Sequence, residues 1–183
     1  MATSPNITTQ YTSEQFVESS GAILFDLSNG KNKTVCLIHY HAKDEWLLAK
    51  GRRNCGESRQ EAALREIHEE TGYQAHLYPV TMYTRAPPID ERGHMPDIPR
   101  LYPDIVEPFM VTMRHLGTDG VKDVKIIWWF IAALDEGVVP GSASGEEQFT
   151  PEFFPLQQAL EKLSFQNDRD VLREAISLVN TRL

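Results

Sequence analysis

Apolar and polar positions along the chain change period several times, and each change predicts an element. Residues 22–27 and 35–40 are short β-rich runs on either side of Ser28-Asn29-Gly30-Lys31, a composition that predicts a β-hairpin. A third short strand is expected over residues 46–49, leading into Lys50 and Gly51. The period then becomes helical. Ser58 and Glu61 fit a capping box and Gly72 fits the left-handed position after a helix, so a helix is predicted over residues 59–70.

Residues 76–83 read as another strand. Six of the eleven prolines then fall between Pro87 and Pro108, which excludes a long regular element and marks residues 84–108 as a proline-rich insertion. Such a segment is a functional loop, a docking site for a partner that reads proline-rich peptides, or plain elaboration. Residues 108–115 and 125–134, joined across Gly117-Thr118-Asp119-Gly120, form a predicted antiparallel pair. The second strand, KIIWWFIAAL, is apolar on both faces and belongs in the middle of a sheet. Residues 157–163 and 170–179 have helical periodicity, with Asn167 or Asp168 as the cap of the last helix. Residues 1–18 are polar and read as a flexible tail ahead of a single domain over 19–183. No internal repeat interrupts that domain.

Composition narrows the class. The 183 residues are 41% hydrophobic, which fits one compact domain, and no stretch has the apolar length of a membrane span. The first residues lack the charged and apolar blocks of a secretion signal, so the expected location is cytoplasmic, with the nucleus also open. Cys36 and Cys55 support neither a disulfide framework nor a zinc site. The formal net charge of −8 argues against a protein that coats nucleic acid, so a polyanionic ligand has to meet a local basic patch. Oligomeric state is not readable from the chain.

The predicted helix over 59–70 carries an oddity. Glu66, Glu69 and Glu70 crowd its last turn, where the helix dipole is already negative, and at about 100° per residue they share one face. A solvated acidic surface would tolerate this at about 0.3–1 kcal/mol per charge. The alternative is a divalent cation, since magnesium prefers carboxylate oxygens completed by water and phosphate.

The spacing around these residues is more specific. Gly51 is followed by Glu57 after five residues, then by Arg65-Glu66 after seven more, then by Ile67, His68, Glu69, Glu70, Thr71, Gly72 and Tyr73. This resembles the Nudix box of the pyrophosphohydrolases, with Tyr73 in place of an aliphatic residue at its end. With backgrounds near 6% for each of its fixed residues, chance would produce the match in roughly three of every billion placements. The resemblance implies an α/β fold, an α/β/α sandwich with a mixed sheet and a loop-helix-loop metal site. It implies a hydrolase that cuts a P–O–P bond with Mg²⁺ or Mn²⁺. Gly51, Glu66, Glu69 and Glu70 would then be metal ligands, with Glu57 close by or bound through water. Arg65 would orient the acids, Gly72 would close the helix, and Ala63, Leu64 and Ile67 would be its buried stripe. Glu66, Glu69 and Glu70 also become catalytic candidates. A proton acceptor could come from Glu69 or Glu70, or from a later loop holding Glu146 and Glu147, of which Glu147 is slightly preferred.

The box identifies a bond rather than a compound. Lys50, Arg52 and Arg53 crowd its beginning and Arg85 opens the proline-rich segment, so these four are candidate substrate contacts. His39, His41 and Lys43 add basic groups on the preceding hairpin. Leu48-Ala49-Lys50-Gly51 is similar to the Leu-Pro-Lys-Gly approach of diadenosine tetraphosphate hydrolases, relatives of the diphosphoinositol polyphosphate hydrolases, and points to a small-molecule polyphosphate. Pro87-Pro88 is a weaker cue for ADP-ribose or another nucleotide sugar. A third reading is a Nudix module that binds a phosphorylated ligand or a protein without turnover, against which the complete set of box carboxylates argues. Trp128 and Trp129 point to opposite faces of a strand, and core packing is the expectation for both.

Overall fold

The computed structural model describes residues 6–30, 32–88, 96–117, 123–141 and 145–181. In chain order the elements are β1 (Phe16–Asp26), β2 (Thr34–Tyr40), β3 (Glu45–Leu47), β4 (Lys50–Arg52), α1 (Arg59–Thr71), β5 (Ala75–Leu77), β6 (Val80–Thr84) and β7 (Arg100–Ile105). They continue with β8 (Met110–Leu116), β9 (Asp123–Leu134), β10 (Phe149–Pro155), α2 (Leu156–Lys162) and α3 (Gln166–Asn180).

Two long strands form the centre. β1 and β9 run parallel in unbroken register from Phe16 opposite Val124 to Phe25 opposite Ala133. The other edge of β1 is shared, with β4 beside Ser19, Ser20 and Gly21 and β2 beside Phe25 and Asp26, both antiparallel. The other edge of β9 takes β8 along its first half and β5 at its end. β10 and β3 pair with β2, which completes a mixed eight-stranded sheet among the described residues.

Alternation along these strands builds two cores. Ile127, Trp129 and Ile131 join Ile23, Phe25, Leu172 and Ala175, so this face packs on α2 and α3. Phe130 and Ala132 join Ala22, Leu24, Ala63 and Ile67 on the face covered by α1. The result is the expected α/β/α arrangement, with β9 central.

Several boundaries differ from the sequence reading. β1 begins at Phe16, inside the predicted tail, because the parallel register with β9 reaches back to that residue. The single strand expected over 76–83 is two strands. The Tyr78 N–H donates to the Ile131 carbonyl at 2.9 Å, Pro79 has no N–H to continue the ladder, and β6 leaves to pair with β7 in a separate two-stranded sheet. β7 falls within the proline-rich segment and accommodates Pro103 in that short pairing. The third strand is Glu45–Leu47, one residue earlier than predicted and two residues shorter at its end. The last helix starts at Gln166 with Phe165 at its cap position and no side-chain cap, so neither Asn167 nor Asp168 caps it; Asp168 lies buried in its first turn. Lys31 of the first predicted turn, Thr118 to Gly120 of the second, and residues 89–95 lie outside the described residues.

Candidate active site

The helix α1 is fixed at both ends. Ser58 Oγ accepts from the Glu61 N–H at 3.1 Å while the Glu61 carboxylate accepts from the Ser58 N–H at 2.8 Å, closing the capping box. At the other end Gly72 adopts φ 73°, a left-handed conformation suited to glycine, and its N–H reaches the His68 carbonyl at 2.8 Å. Ala62, Ala63 and Ile67 are fully buried against the sheet and Leu64 is partly so. This packing decides which way the acids point.

Glu66 and Glu70 turn inward and are each only 8% exposed, whereas the Glu69 side chain is 44% exposed. Burial pushes the Glu70 carboxyl up to about 8, with repulsion from Glu66 and Glu146 adding to it against the pull of Lys50 and its backbone N–H. Glu66 is raised for the same first reason, opposed by Arg65. Gly51 lies against Glu66 so closely that a Cβ there would fall on the Glu66 carboxyl atoms. Glycine is the residue that lets the loop backbone touch this acid.

Arg65 organises the remaining carboxylates. Its guanidinium donates to both oxygens of Glu57 at 2.8 and 3.1 Å, to Glu66 and Glu69 at 2.7 Å each, and to the Arg52 carbonyl at 2.9 Å. That hydrogen bonding, together with the Asn54 N–H, holds Glu57 below the usual carboxylate range, and the same carboxylates raise Arg65 itself. Glu70 is engaged elsewhere, accepting the Lys50 N–H at 2.8 Å. Divided in this way between Arg65 and Lys50, no three His, Cys, Asp or Glu side chains among the described residues are grouped as a metal cage. The donor chemistry still fits a hard divalent ion: buried, mutually repelling carboxylates beside a glycine backbone, all oxygen donors.

The loop before β10 docks on the end of α1. The Glu146 N–H donates to the Glu69 carbonyl at 2.9 Å, and Gly145 sits so close to the Glu70 backbone that no side chain would fit. Glu146 is the loop acid whose charge acts on Glu66 and Glu70. Glu146 and Glu147 also line a cavity of about 850 Å³ with His41, Ala42 and Gln148.

The four basic candidates separate into two groups. Arg53 and Arg85 are spoken for: Arg53 pairs with Glu18 at 3.0 Å and Arg85 with Asp97 at 2.7 Å. The side chains of Lys50 and Arg52 have no hydrogen-bond or ion-pair partner among the described residues. Sequence reasoning missed Glu18, which it left at the end of the tail. In β1 it accepts from Arg59 at 2.6 Å and from the Trp128 indole at 2.9 Å, and Arg59 stacks 4.0 Å from that ring. Burial alone would raise Glu18, but these bonds and the charges of Arg59 and Arg53 leave it below the usual range. Trp129, only 1% exposed, packs on the opposite face and donates to Thr112 at 3.0 Å.

A capped helix with inward carboxylates beside a glycine backbone, carried on an α/β/α sandwich, presents a set of oxygen donors suited to a hard divalent ion. The chain belongs to the Nudix hydrolase family, whose NUDIX domain model matches residues 18–175. Members of that family act on phosphorus-containing anhydrides and generally use divalent metal ions. An 8-oxo-(d)GTP phosphatase of Mycolicibacterium smegmatis is 41% identical over 73 residues, which are 36% of this chain and 23% of that protein. The chain thus spans about a quarter of that relative's length. Among solved structures it resembles Ap4A hydrolase from C. elegans (TM-score 0.53, 14% identity, 88% of this chain and 97% of that one). It also resembles the NUDIX domain of Shewanella oneidensis NrtR complexed with ADP ribose (TM-score 0.55, 14% identity, 91% and 92% covered). At these identities the likeness concerns the fold.

Proposed function

We propose that the chain is a divalent-metal-dependent pyrophosphohydrolase, one that cuts a P–O–P linkage by water attack in a small molecule carrying many phosphates. A dinucleoside polyphosphate or a diphosphoinositol polyphosphate is the favoured substrate class. The observation that carries this reading is the crowding of Glu66, Glu69 and Glu70 in the last turn of α1 against Gly51, a repulsive arrangement that a cation relieves. Gly51, Glu66, Glu69 and Glu70 would hold Mg²⁺, or Mn²⁺, with Glu57 alongside. When bound, such an ion offsets charge on the phosphoryl oxygens and acidifies water.

The chain's own groups do the rest. Arg65 keeps Glu57, Glu66 and Glu69 on one side of the helix and ties them to the Arg52 carbonyl. Gly72 ends the helix one residue past Thr71, so Glu69 and Glu70 stay at its open end. Glu69, Glu70 and a loop glutamate are the candidates to take the proton of the attacking water. In the loop, Glu146 acts electrostatically on Glu66 and Glu70, and Glu147 lines the neighbouring cavity. Lys50 and Arg52 are the favoured substrate contacts, since their side chains have no hydrogen-bond or ion-pair partner among the described residues; Arg53 and Arg85 would need to exchange an existing carboxylate for a phosphate. We place the protein in the cytoplasm or nucleus; no helix of the described residues is long and apolar enough to cross a membrane.

The test is a product-release assay with Mg²⁺ against diadenosine polyphosphates, inositol pyrophosphates, ADP-ribose and 8-oxo-dGTP, run beside a Glu69→Gln, Glu70→Gln double variant. Metal-dependent release from the first two, lost in the variant, is expected. Turnover of ADP-ribose or 8-oxo-dGTP alone would move the substrate to a nucleotide sugar or a nucleoside triphosphate. Ligand binding with no release from any compound would make this a binding module.

A further inference from the structure

The face of the sheet that packs on α3 carries a set of cations on the side away from the box carboxylates. The β1–β4 register sets Lys50 opposite Gly21 and Arg52 opposite Ser19. The β1–β9 register sets Ser19 opposite Ile127 and Val17 opposite Lys125, and the β8–β9 register sets Arg114 opposite Lys125. Residues paired across strands share a face. Ile127 and Trp129 belong to the core under α3, so Lys50, Arg52, Arg114 and Lys125 all project to that side. A Cβ on Gly21 would collide with both Lys50 and Trp129, so glycine here makes room for β4 and the Trp129 ring beside β1.

These four side chains have no hydrogen-bond or ion-pair partner among the described residues, although the chain carries a net charge of −8. They are close enough to act on one another: burial lowers Lys125, and Lys50, Arg114 and Arg52 lower it further, with Glu66 of the carboxylate cluster opposing. From the α3 layer Asp168 faces them among the described residues. Asp168, 4% exposed in the first turn of α3, is raised by burial and pulled back by Lys50 and Arg114. Glu66 and Glu70 act on Lys125 and Lys50 from the α1 side, but Arg65 already holds Glu66 and burial raises all three acids, so the four cations are only partly offset. Ser19, on the same face beside Arg52, is fully buried and its hydroxyl lacks a partner.

We propose that Lys50, Arg52, Arg114 and Lys125 form a polyphosphate platform that holds the phosphates of the substrate that do not react, with Asp168 as its counter-charge beneath α3. The proposal rests on the pyrophosphohydrolase reading for its link to turnover, while the binding itself does not. β4 is the partition between the two halves: its backbone meets Glu70 and Glu66 on the α1 side, and its side chains reach the platform on the other. A chain of phosphates is the ligand that satisfies several closely spaced cations at once, since each guanidinium or ammonium can take a separate oxygen.

The experiment is a calorimetric titration of the metal-free protein with inorganic tripolyphosphate in the presence of EDTA, repeated at two salt concentrations. Wild type is expected to bind, more weakly at high salt. An Arg114→Met, Lys125→Met double variant, which keeps the aliphatic stems in place, should bind at least ~10-fold more weakly. The charge-preserving Arg114→Lys, Lys125→Arg pair should stay within ~3-fold of wild type, because attraction between charges rather than fork geometry is what the platform supplies. Arg173→Ala, an exposed cation on α3, should bind as wild type. Thermal melts establish that each variant is folded. No binding by wild type in the millimolar range, or equal binding by wild type and the methionine variant, overturns the platform. With turnover established, KM should rise in the methionine variant and kcat should hold. Binding through these residues by a protein that hydrolyses nothing would leave the platform standing and remove the hydrolase reading instead.

Discussion

The Glu70 carboxylate accepts the backbone N–H of Lys50 at 2.8 Å, and this single bond joins the helix that bears the acids to the strand that bears the cations. Glutamine at 70 can keep an oxygen in that place and lose only the charge. Glu70→Gln is therefore expected to fold with a melting temperature near wild type while turnover falls at least ~100-fold, the scale of a lost acid–base group. Circular dichroism melts beside the release assay check this; a variant that keeps its activity removes Glu70 from the chemistry.

Two glycines touch the same helix and should respond differently. At Gly51 a Cβ meets the end of the Glu66 side chain, which can move only by loosening its bond to Arg65, so Gly51→Ala should lose activity while costing less stability than a substitution that pushes on the helix backbone. At Gly145 a Cβ meets the Glu70 backbone, which cannot move without moving the helix. Gly145→Ala should cost about 1–3 kcal/mol or release the loop. Urea denaturation separates the two, and equal stability losses would contradict the geometry.

Arg65→Lys replaces a fork that serves three carboxylates with a single ammonium. Glu66, only 8% exposed, is the partner that suffers most. A loss of about 1–3 kcal/mol is expected in urea denaturation, with the exposed Glu69 contributing little of it. Unchanged stability would mean that the network is decorative.

Asp168 supplies the pH dependence. Burial raises its folded pKa above the unfolded value, so the folded state binds the extra proton between the two. Its contribution is most favourable below the unfolded pKa, and stability is lost as pH rises through the folded one. Relative to wild type, Asp168→Asn should therefore gain melting temperature as the buffer goes from acid to neutral. A difference that stays flat or shrinks on that path would show that Lys50 and Arg114 outweigh burial.

The loop acids form a matched pair. Glu146→Gln should slow turnover more than Glu147→Gln, because Glu146 is among the main charges acting on Glu66 and Glu70. Single-turnover rates decide, and the reverse order would return the base role to Glu147.

The helical part of the site was readable from the chain because it is local. Ser58, Glu61 and Gly72 act within one helix, and a helix repeats at a period that sequence displays. The platform was not readable, because Lys50, Arg114 and Lys125 meet only through strand register. Nothing in the run KIIWWFIAAL says which edge meets β1, or that Val17 will stand beside Lys125. Glu18 was missed for the same reason, since its partners Arg59 and Trp128 come from α1 and from β9, the latter 110 residues away. The broken strand at Tyr78 and Pro79 was written in the proline, but the acceptor that makes the break worthwhile, the Ile131 carbonyl, lies on β9.

The parallel pairing of β1 with β9 also sets an order of events. Phe16 finds Val124 only after about a hundred intervening residues have been laid down, a long loop to close before any of its ladder forms. On the ribosome, α1 with its capping box and carboxylates can form early, whereas β1 keeps the N–H and C=O groups of one edge unpaired with β9 until that strand emerges. Lys50, Arg52 and the carboxylates are all made before Arg114 and Lys125, and the arrival of β9 joins the two central strands and brings the basic face together, with β10 still to add to β2.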